Sequence, residues 1–180
     1  GQARGSAIDY HIEATDTDGN VSRYPIGDVP PLRLKVLSLT GKPLAYVSLR
    51  RSNAVSVLDT GSDPAPTEVA RIPVGEDPIG LCITPDEKIV CVSSRVKGTV
   101  TLIETASNRI LATVAVGREP VDLVASADGR FLYVSNTTDN DISVIDLGSR
   151  KQMARLPVRA QLTGPSPPGP YGIAVSPDGK

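Results

Sequence analysis

The side chains able to carry chemistry are few and scattered. His11 is the single histidine among 180 residues. A Ser-His-Asp triad or a multi-histidine zinc site would therefore have to draw on residues beyond this sequence, and no Cys-x-x-Cys-His offers covalent haem attachment. Within AIDYHIE the histidine alternates with apolar residues and reads as an exposed strand residue. Cys82 and Cys91 flank the turn TPDE, and if Thr84 pairs with Ile89 the two thiols lie directly opposite each other. Opposed residues on antiparallel strands hold their Cβ atoms about 4.5 to 5.5 Å apart, whereas a disulfide wants about 3.5 to 4.5 Å, so a bond here requires strain. The favoured reading is two reduced thiols acting as small buried hydrophobes. DTDGN at 16–20 looks like the start of a calcium loop, but its Gly precedes the third candidate ligand and no bidentate Glu follows at the required distance. It reads as a turn whose Asp, Gly and Asn suit left-handed backbone angles. No catalytic, cofactor-binding or metal-binding residue is assigned.

What must position any site is a repeat. LAYVSLRRSNAVSVLDT (44–60), IVCVSSRVKGTVTLIET (89–105) and FLYVSNTTDNDISVIDL (131–147) align with Tyr46, Cys91 and Tyr133 in register. ARIPVGEDPIGLCITPDEK (70–88), ATVAVGREPVDLVASADGR (112–130) and ARLPV followed by GPYGIAVSPDGK (154–158, 169–180) repeat the flanking half. Length varies only in Pro/Gly stretches, at 62–66 and in RAQLTGPSPPG (159–169), as loops on a fixed scaffold do. Each unit parses into four short strands: in the middle one IGLCIT (79–84), IVCVSS (89–94), TVTLIET (99–105) and RILATVAV (109–116). TPDEK, SADGR and SPDGK supply the turns. The third strand is apolar on both faces, as in a sheet sandwiched between neighbours. Four antiparallel strands recurring every 40-odd residues predict an all-β fold, a partial β-propeller of about three blades.

The phrase YVS-N at 133–136, with its flanking SPDG and ISVID, resembles the YVTN β-propeller repeat family over roughly residues 34–180, although the middle unit reads CVSS. The resemblance implies a closed, usually seven-bladed ring in a secreted, periplasmic or cell-surface protein. It also brings in related propellers that are lactonases or the non-catalytic or cofactor-bearing domains of respiratory enzymes. Three units do not close a ring of about 4 to 8 blades, so the expectation is an incomplete ring with exposed blade faces that further blades in cis would cover. The leader differs: AIDYHIEATDTDGNVSRYPI predicts a hairpin and resembles the last two strands of a fibronectin-type-III or immunoglobulin-like module. The domain reading is thus 1–24 as the terminal hairpin of that module, 25–33 as a Pro-rich linker and 34–180 as propeller blades.

Function in such a scaffold is expected on one rim, where the loops between second and third strands meet those between blades. That rim would carry Arg50, Arg51, Asn53, Arg95, Lys97, Asp139 and Asp141, with Glu76, Asp77, Arg118, Glu119 and Tyr171 from the blade-to-blade loops. Asp59, Glu104 and Asp146, recurring at third-strand ends, read as turn caps. Asn20-Val21-Ser22 and Asn136-Thr137-Thr138 match the glycosylation acceptor pattern. With 19 Lys+Arg against 20 Asp+Glu and no basic run, nothing draws the chain to nucleic acid. No stretch reaches the ~18–20 apolar residues of a membrane span, and GQARGSAIDYHIE lacks the apolar core of a signal peptide. The expectation is a non-enzymatic module that binds protein or glycan through its rim in an extracellular, periplasmic or cell-surface setting. The alternative is a lactonase-like hydrolase or a cofactor-bearing oxidoreductase. That alternative needs inward-facing ligands, and Asp122 is the only charged residue along IGLCIT, VDLVAS and YGIAVS.

Overall fold

In the computed structural model the described residues are 12–15, 21–24, 36–39, 42–62, 65–158 and 169–176. His11, the DTDGN turn and most of the Pro/Gly stretch at 159–169 lie outside them. The chain divides into two compact units, Gly1–Arg33 and Leu34–Lys180. In the first, β1 (Ile12–Thr15) and β2 (Val21–Tyr24) pair antiparallel with Thr15 opposite Val21.

The second unit holds three four-stranded antiparallel sheets, each in simple sequential order. Blade I comprises β3 (Val36–Leu39), β4 (Lys42–Leu49), β5 (Ala54–Asp59) and β6 (Thr67–Pro73). Blade II comprises β7 (Pro78–Ile83), β8 (Ile89–Ser94), β9 (Thr99–Glu104) and β10 (Ile110–Ala115). Blade III comprises β11 (Pro120–Ala125), β12 (Phe131–Asn136), β13 (Asp141–Asp146) and β14 (Lys151–Pro157). A 3-10 turn, Arg50–Ser52, joins β4 to β5. Segment 171–176, expected as a fourth first strand, is not a strand here: among the described residues no second strand lies beside it to pair with.

The repeated turn owes its form to a local hydrogen-bond device. In blade II the Thr84 hydroxyl donates to Asp86 Oδ1 (2.6 Å) and accepts from the Ile89 amide (3.1 Å), while the Lys88 amide donates to the same carboxylate (3.2 Å). Blade III reproduces it with Ser126, Asp128, Arg130 and Phe131. The fourth turn position needs a left-handed backbone: Gly129 takes it without penalty, whereas Glu87 adopts φ 61° against its Cβ.

Two apolar seams hold the blades together. Tyr46, Val55, Val57 and Ile72 of blade I pack on Ile83, Val90, Val92 and Ile103 of blade II. Cys91, Val100, Leu102 and Val114 then pack on Leu123, Leu132, Val134 and Ile145 of blade III. The middle of each third strand is buried on both faces, as its apolar run requires, although Ile142 of blade III is only half-buried. Each seam also carries one polar stitch. Ser48 Oγ donates to the Ile79 carbonyl (3.0 Å) and Ser93 Oγ to the Val121 carbonyl (3.1 Å), so the serine of the repeated phrase ties each blade to the first strand of the next. The approach is close at Gly80, where any Cβ would overlap the Val121 carbonyl oxygen. Cys82 stands opposite Cys91 in the β7–β8 register, and both are free thiols. The contact with Cys82, and then burial, pushes the Cys91 thiol well up, which leaves Cys91 protonated and packed as an apolar group.

Candidate functional site

The loops between second and third strands and the loops between blades do share one rim, and their charges meet there. Asp77 lies at the centre of the blade I–II junction. It accepts Arg50 Nε at 2.7 Å and Nη2 at 3.1 Å from blade I, and Arg95 Nε at 2.5 Å from blade II. Its own amide donates to Asn53 Oδ1 (3.1 Å). Arg95 reaches on to Glu119 Oε1 (3.1 Å), and Glu119 Oε2 accepts the Thr138 hydroxyl (2.6 Å). Lys97 lies 3.8 Å from Glu76. An alternating chain of charges thus runs from blade I across blade II to blade III.

A second knot belongs to blade III. Asp139 accepts the Arg118 amide (2.9 Å), Arg118 Nε (2.5 Å) and Arg155 Nη2 (2.5 Å). Arg155 also pairs with Asp141 at 2.6 Å, and Asp141 accepts Asn136 Nδ2 at 2.7 Å. Beneath the knot Gly117 allows the loop to lie flat: a Cβ there would sit 2.5 Å from Asn136 Cγ and 2.7 Å from Arg155 Nη2. Hydrogen bonds from the Arg118 backbone and side chain and from Arg155 bring Asp139 down to about 2. Arg50, then Arg95, holds Asp77 below the usual carboxylate range. Arg155 is pushed up by Asp141 and Asp139. Asp77 and Asp139 are thus both charged at neutral pH, so neither can serve as a general acid there.

The backbone explains why these side chains converge. Asn53, Asp77, Glu119 and Asn140 all adopt left-handed angles (φ 50–55°) at the corners of these loops. Asp77 and Glu119 occupy the same place in successive blade-to-blade loops, and the amides of Arg95 and Thr137 donate to their carbonyls at 3.0 Å. The sharp corner turns each acidic side chain toward the neighbouring blade.

Of the twelve residues expected on the rim, Arg50, Asn53, Asp77, Arg95 and Glu119 are joined in the first set of contacts and Arg118, Asp139 and Asp141 in the second, while Glu76 and Lys97 form a pair of their own. Arg51 is exposed in the 3-10 turn outside these contacts. Tyr171 is 65% exposed and contributes its backbone carbonyl to Ser135 Oγ rather than its ring to the network. Arg155 was missed by sequence reasoning, although ARIPV and ARLPV repeat an Arg at that strand position, and Arg71 forms its own pair with Glu68 at 2.8 Å. Asn136 is fully buried and hydrogen bonded, so the folded chain cannot present its acceptor motif to a glycosylating enzyme. Asp122 is a backbone cap: Oδ1 accepts Leu123 N (2.9 Å) and Oδ2 accepts Ile173 N (3.1 Å). Asp59 and Asp146 likewise accept the amides of Gly61 (2.9 Å) and Ser149 (2.7 Å). Among the described residues, no three His, Cys, Asp or Glu side chains are grouped to hold a metal ion.

No family model and no curated protein matches the chain. Solved structures do match. The hydrazine synthase of Kuenenia stuttgartiensis superposes with a TM-score of 0.66 at 23% identity, covering 76% of this chain and 37% of that one. Dihydro-heme d1 dehydrogenase NirN, solved in complex with DHE, gives 0.58 at 26% identity over 72% of this chain and 28% of that one. A Bacteroides uniformis protein assigned as a 6-phosphogluconolactonase gives 0.60 at 16% identity over 81% and 47%. The fold is a partial β-propeller. Its three blades span between about a quarter and a half of the length of these propeller-type chains.

Proposed function

We propose that these blades form a non-enzymatic binding and scaffold module of a secreted, periplasmic or cell-surface protein, of the YVTN repeat type. The rim is the surface that engages a protein or glycan. The observation that carries this reading is the rim network: loops from all three blades deliver alternating charges to one continuous face, each held in place by a neighbour. A fixed array of this kind is preorganised for charge-assisted recognition, because little side-chain entropy remains to be lost when a partner arrives. Arg51 and the Tyr171 ring, exposed outside the network, and the exposed ends of Lys97 and Arg118 at its edge are the groups that first touch a partner.

The test is a glycan array and an extracellular-protein panel probed with the chain and with a variant carrying Arg51→Ala, Lys97→Ala and Tyr171→Ala. These side chains lie outside the seams, so the variant folds, and binding that disappears in it supports the reading. Binding that persists in the folded variant, or lactone hydrolysis by the chain above background, overturns it. The second reading is a cofactor-bearing oxidoreductase domain with ligands supplied from elsewhere, and it takes its support from the 26% identity with the heme d1 dehydrogenase.

A further inference from the structure

Blade II departs from the repeat at one opposed pair of side chains. In blade III Tyr133 of the second strand stands opposite Val124 of the first, and blade I has Tyr46 at the same place in its second strand. Blade II has Cys91 there, opposite Cys82, so both members of the pair differ from their counterparts in blade III. The difference removes an interblade tie. The Tyr46 hydroxyl donates to Asn108 Oδ1 (3.0 Å) across the blade I–II seam, whereas Cys91 meets Cys82 of its own sheet.

The register of the two thiols is fixed by the turn beside them. The Thr84 amide donates to the Ile89 carbonyl (2.9 Å), the Ile89 amide donates to Thr84 Oγ1 (3.1 Å), and the Thr84 hydroxyl is anchored on Asp86 (2.6 Å). Thr84 and Ile89 thus close a hydrogen-bonded pair. By the alternation of an antiparallel ladder, Cys82 and Cys91, two residues further along each strand, form the next one. At such a pair the Cα atoms lie about 5.5 Å apart, a span that a disulfide can bridge. The Cβ atoms lie at the wide end of their range, beyond the about 3.5 to 4.5 Å of a relaxed disulfide. A bond closed here is strained, and strained disulfides are the ones that exchange readily with small thiols.

Access to the pair is unequal. Cys91 is fully buried in the seam cluster that contains Leu123 and Leu132 of blade III, while Cys82 is half-buried and packs against that cluster. Cys82 is therefore the sulfur a reagent reaches first, and Cys91 is the one held behind it.

We propose that Cys82 and Cys91 form a dithiol–disulfide site, a reversible redox pair whose closing remodels the seam between blades II and III. The co-substrate is a small-molecule disulfide. Cys82 gives up its proton to solvent and attacks one sulfur of that disulfide, forming a mixed disulfide and releasing the other half as a thiolate. Cys91 then passes its proton to the released thiolate and attacks Cys82 Sγ. The Cys82–Cys91 bond forms, the mixed bond breaks, and its electron pair leaves on the second small thiolate, which takes a proton from solvent. Two protein thiols are oxidised and one disulfide is reduced to two thiols. Closing the bond draws Cys91 Sγ toward Cys82 and out of the packing it fills on the blade III side. Val90, Val92 and Ile103, which face blade I, keep theirs. The site is independent of what the rim binds.

The experiment equilibrates the 180-residue chain with oxidised glutathione at neutral pH and reads intact mass and alkylation by iodoacetamide. The expected product has lost two hydrogens, carries no glutathione and resists alkylation. It is expected to reopen when reduced glutathione is brought to about tenfold excess. In Cys91→Ser a glutathione is expected to stay on Cys82, and in Cys82→Ser almost none is expected on Cys91. On oxidation, amide exchange is expected to rise at least about threefold in β11 and β12 and to stay unchanged in β4 and β5. An unsubstituted chain that keeps both thiols, ends as a stable glutathione adduct or links into a dimer overturns the proposal. So does a bond that reduced glutathione leaves closed, which makes it structural, and so does exchange that is the same in both forms. These readings are made on the unsubstituted chain, so a variant that fails to fold leaves the outcome decided.

Discussion

The seams and the rim join the same three blades by opposite means. Across the seams the same chemistry is repeated: a serine hydroxyl to the next blade's carbonyl, and branched apolar residues interleaved around it. Along the rim no two junctions are alike. The first uses Arg50, Asp77 and Arg95, and the second uses Glu119, Thr138 and the Arg118–Asp139–Arg155 knot. Burial makes the seams intolerant of change, since each lost methylene there leaves a void among packed atoms. The rim pairs lie partly in water, where an individual ion pair contributes little. Stability is concentrated where the blades are alike, while the loops are left free to be different.

The sharpest way to break that contrast is to cut a buried seam residue. Leu132 is fully buried between blades II and III, and Leu132→Ala is expected to destabilise the chain by about 2–5 kcal/mol in equilibrium denaturation. Gly117→Ala comes next. The new Cβ meets Asn136 and Arg155, and overpacking of this kind costs about 1–3 kcal/mol. Ser93→Ala follows, at about 1–2 kcal/mol, because it removes the acceptor of the Gly80 amide (2.8 Å) and the donor to the Val121 carbonyl inside a closed seam. A neutral Ser93→Ala measured in the same denaturant series would show that the stitch is incidental to the apolar packing.

How much of this could be read beforehand differs between the two regions for the same reason. The strands, their order and the opposition of Cys82 to Cys91 were legible because alternation and turn chemistry are local, and because three copies of one phrase check each other. The stitch was not, although its serine was plainly in the repeated phrase: a hydroxyl in a strand has many local partners, and only the packing of one blade on the next selects the carbonyl. The rim's membership was readable from loop position. Its pairing was not, since Asp77 reaches both Arg50 and Arg95 through a left-handed corner that no residue type announces. Segment 171–176 misled because its sequence is that of a strand, while a strand also needs a partner.

Acid should act on the rim before it acts on the seams. Asp139 titrates in the folded chain at about 2 because the Arg118 backbone and side chain, and Arg155, favour its charged form. An unperturbed aspartate titrates near ~4. Because the folded value is depressed, the stabilisation is complete above the unfolded value and is lost as pH falls from about 4 through about 2. Denaturation midpoints measured across that window should drop, and Asp139→Asn should flatten part of the drop. Glu68, also lowered to about 2 by Arg71 and Ser56, leaves a remainder. A slope unchanged in Asp139→Asn would mean that the knot is broken in solution.

The smallest effect on stability is expected where binding is expected to be most sensitive. Arg118 has 74% of its side chain exposed and pairs with Asp139 at the loop's outer edge. Arg118→Ala removes one exposed ion pair but leaves the backbone bond from residue 118 to Asp139 and the Arg155 contacts in place, so its cost should not exceed about 1 kcal/mol and should shrink further in salt. If the rim recognises its partner by charge, the same substitution should weaken binding far more than it weakens the fold, and should reduce the salt dependence of association. Stability and binding that fall together would instead tie the rim to the seams as one structural unit, and the division of labour between like strands and unlike loops would fail at the residue where it is most exposed.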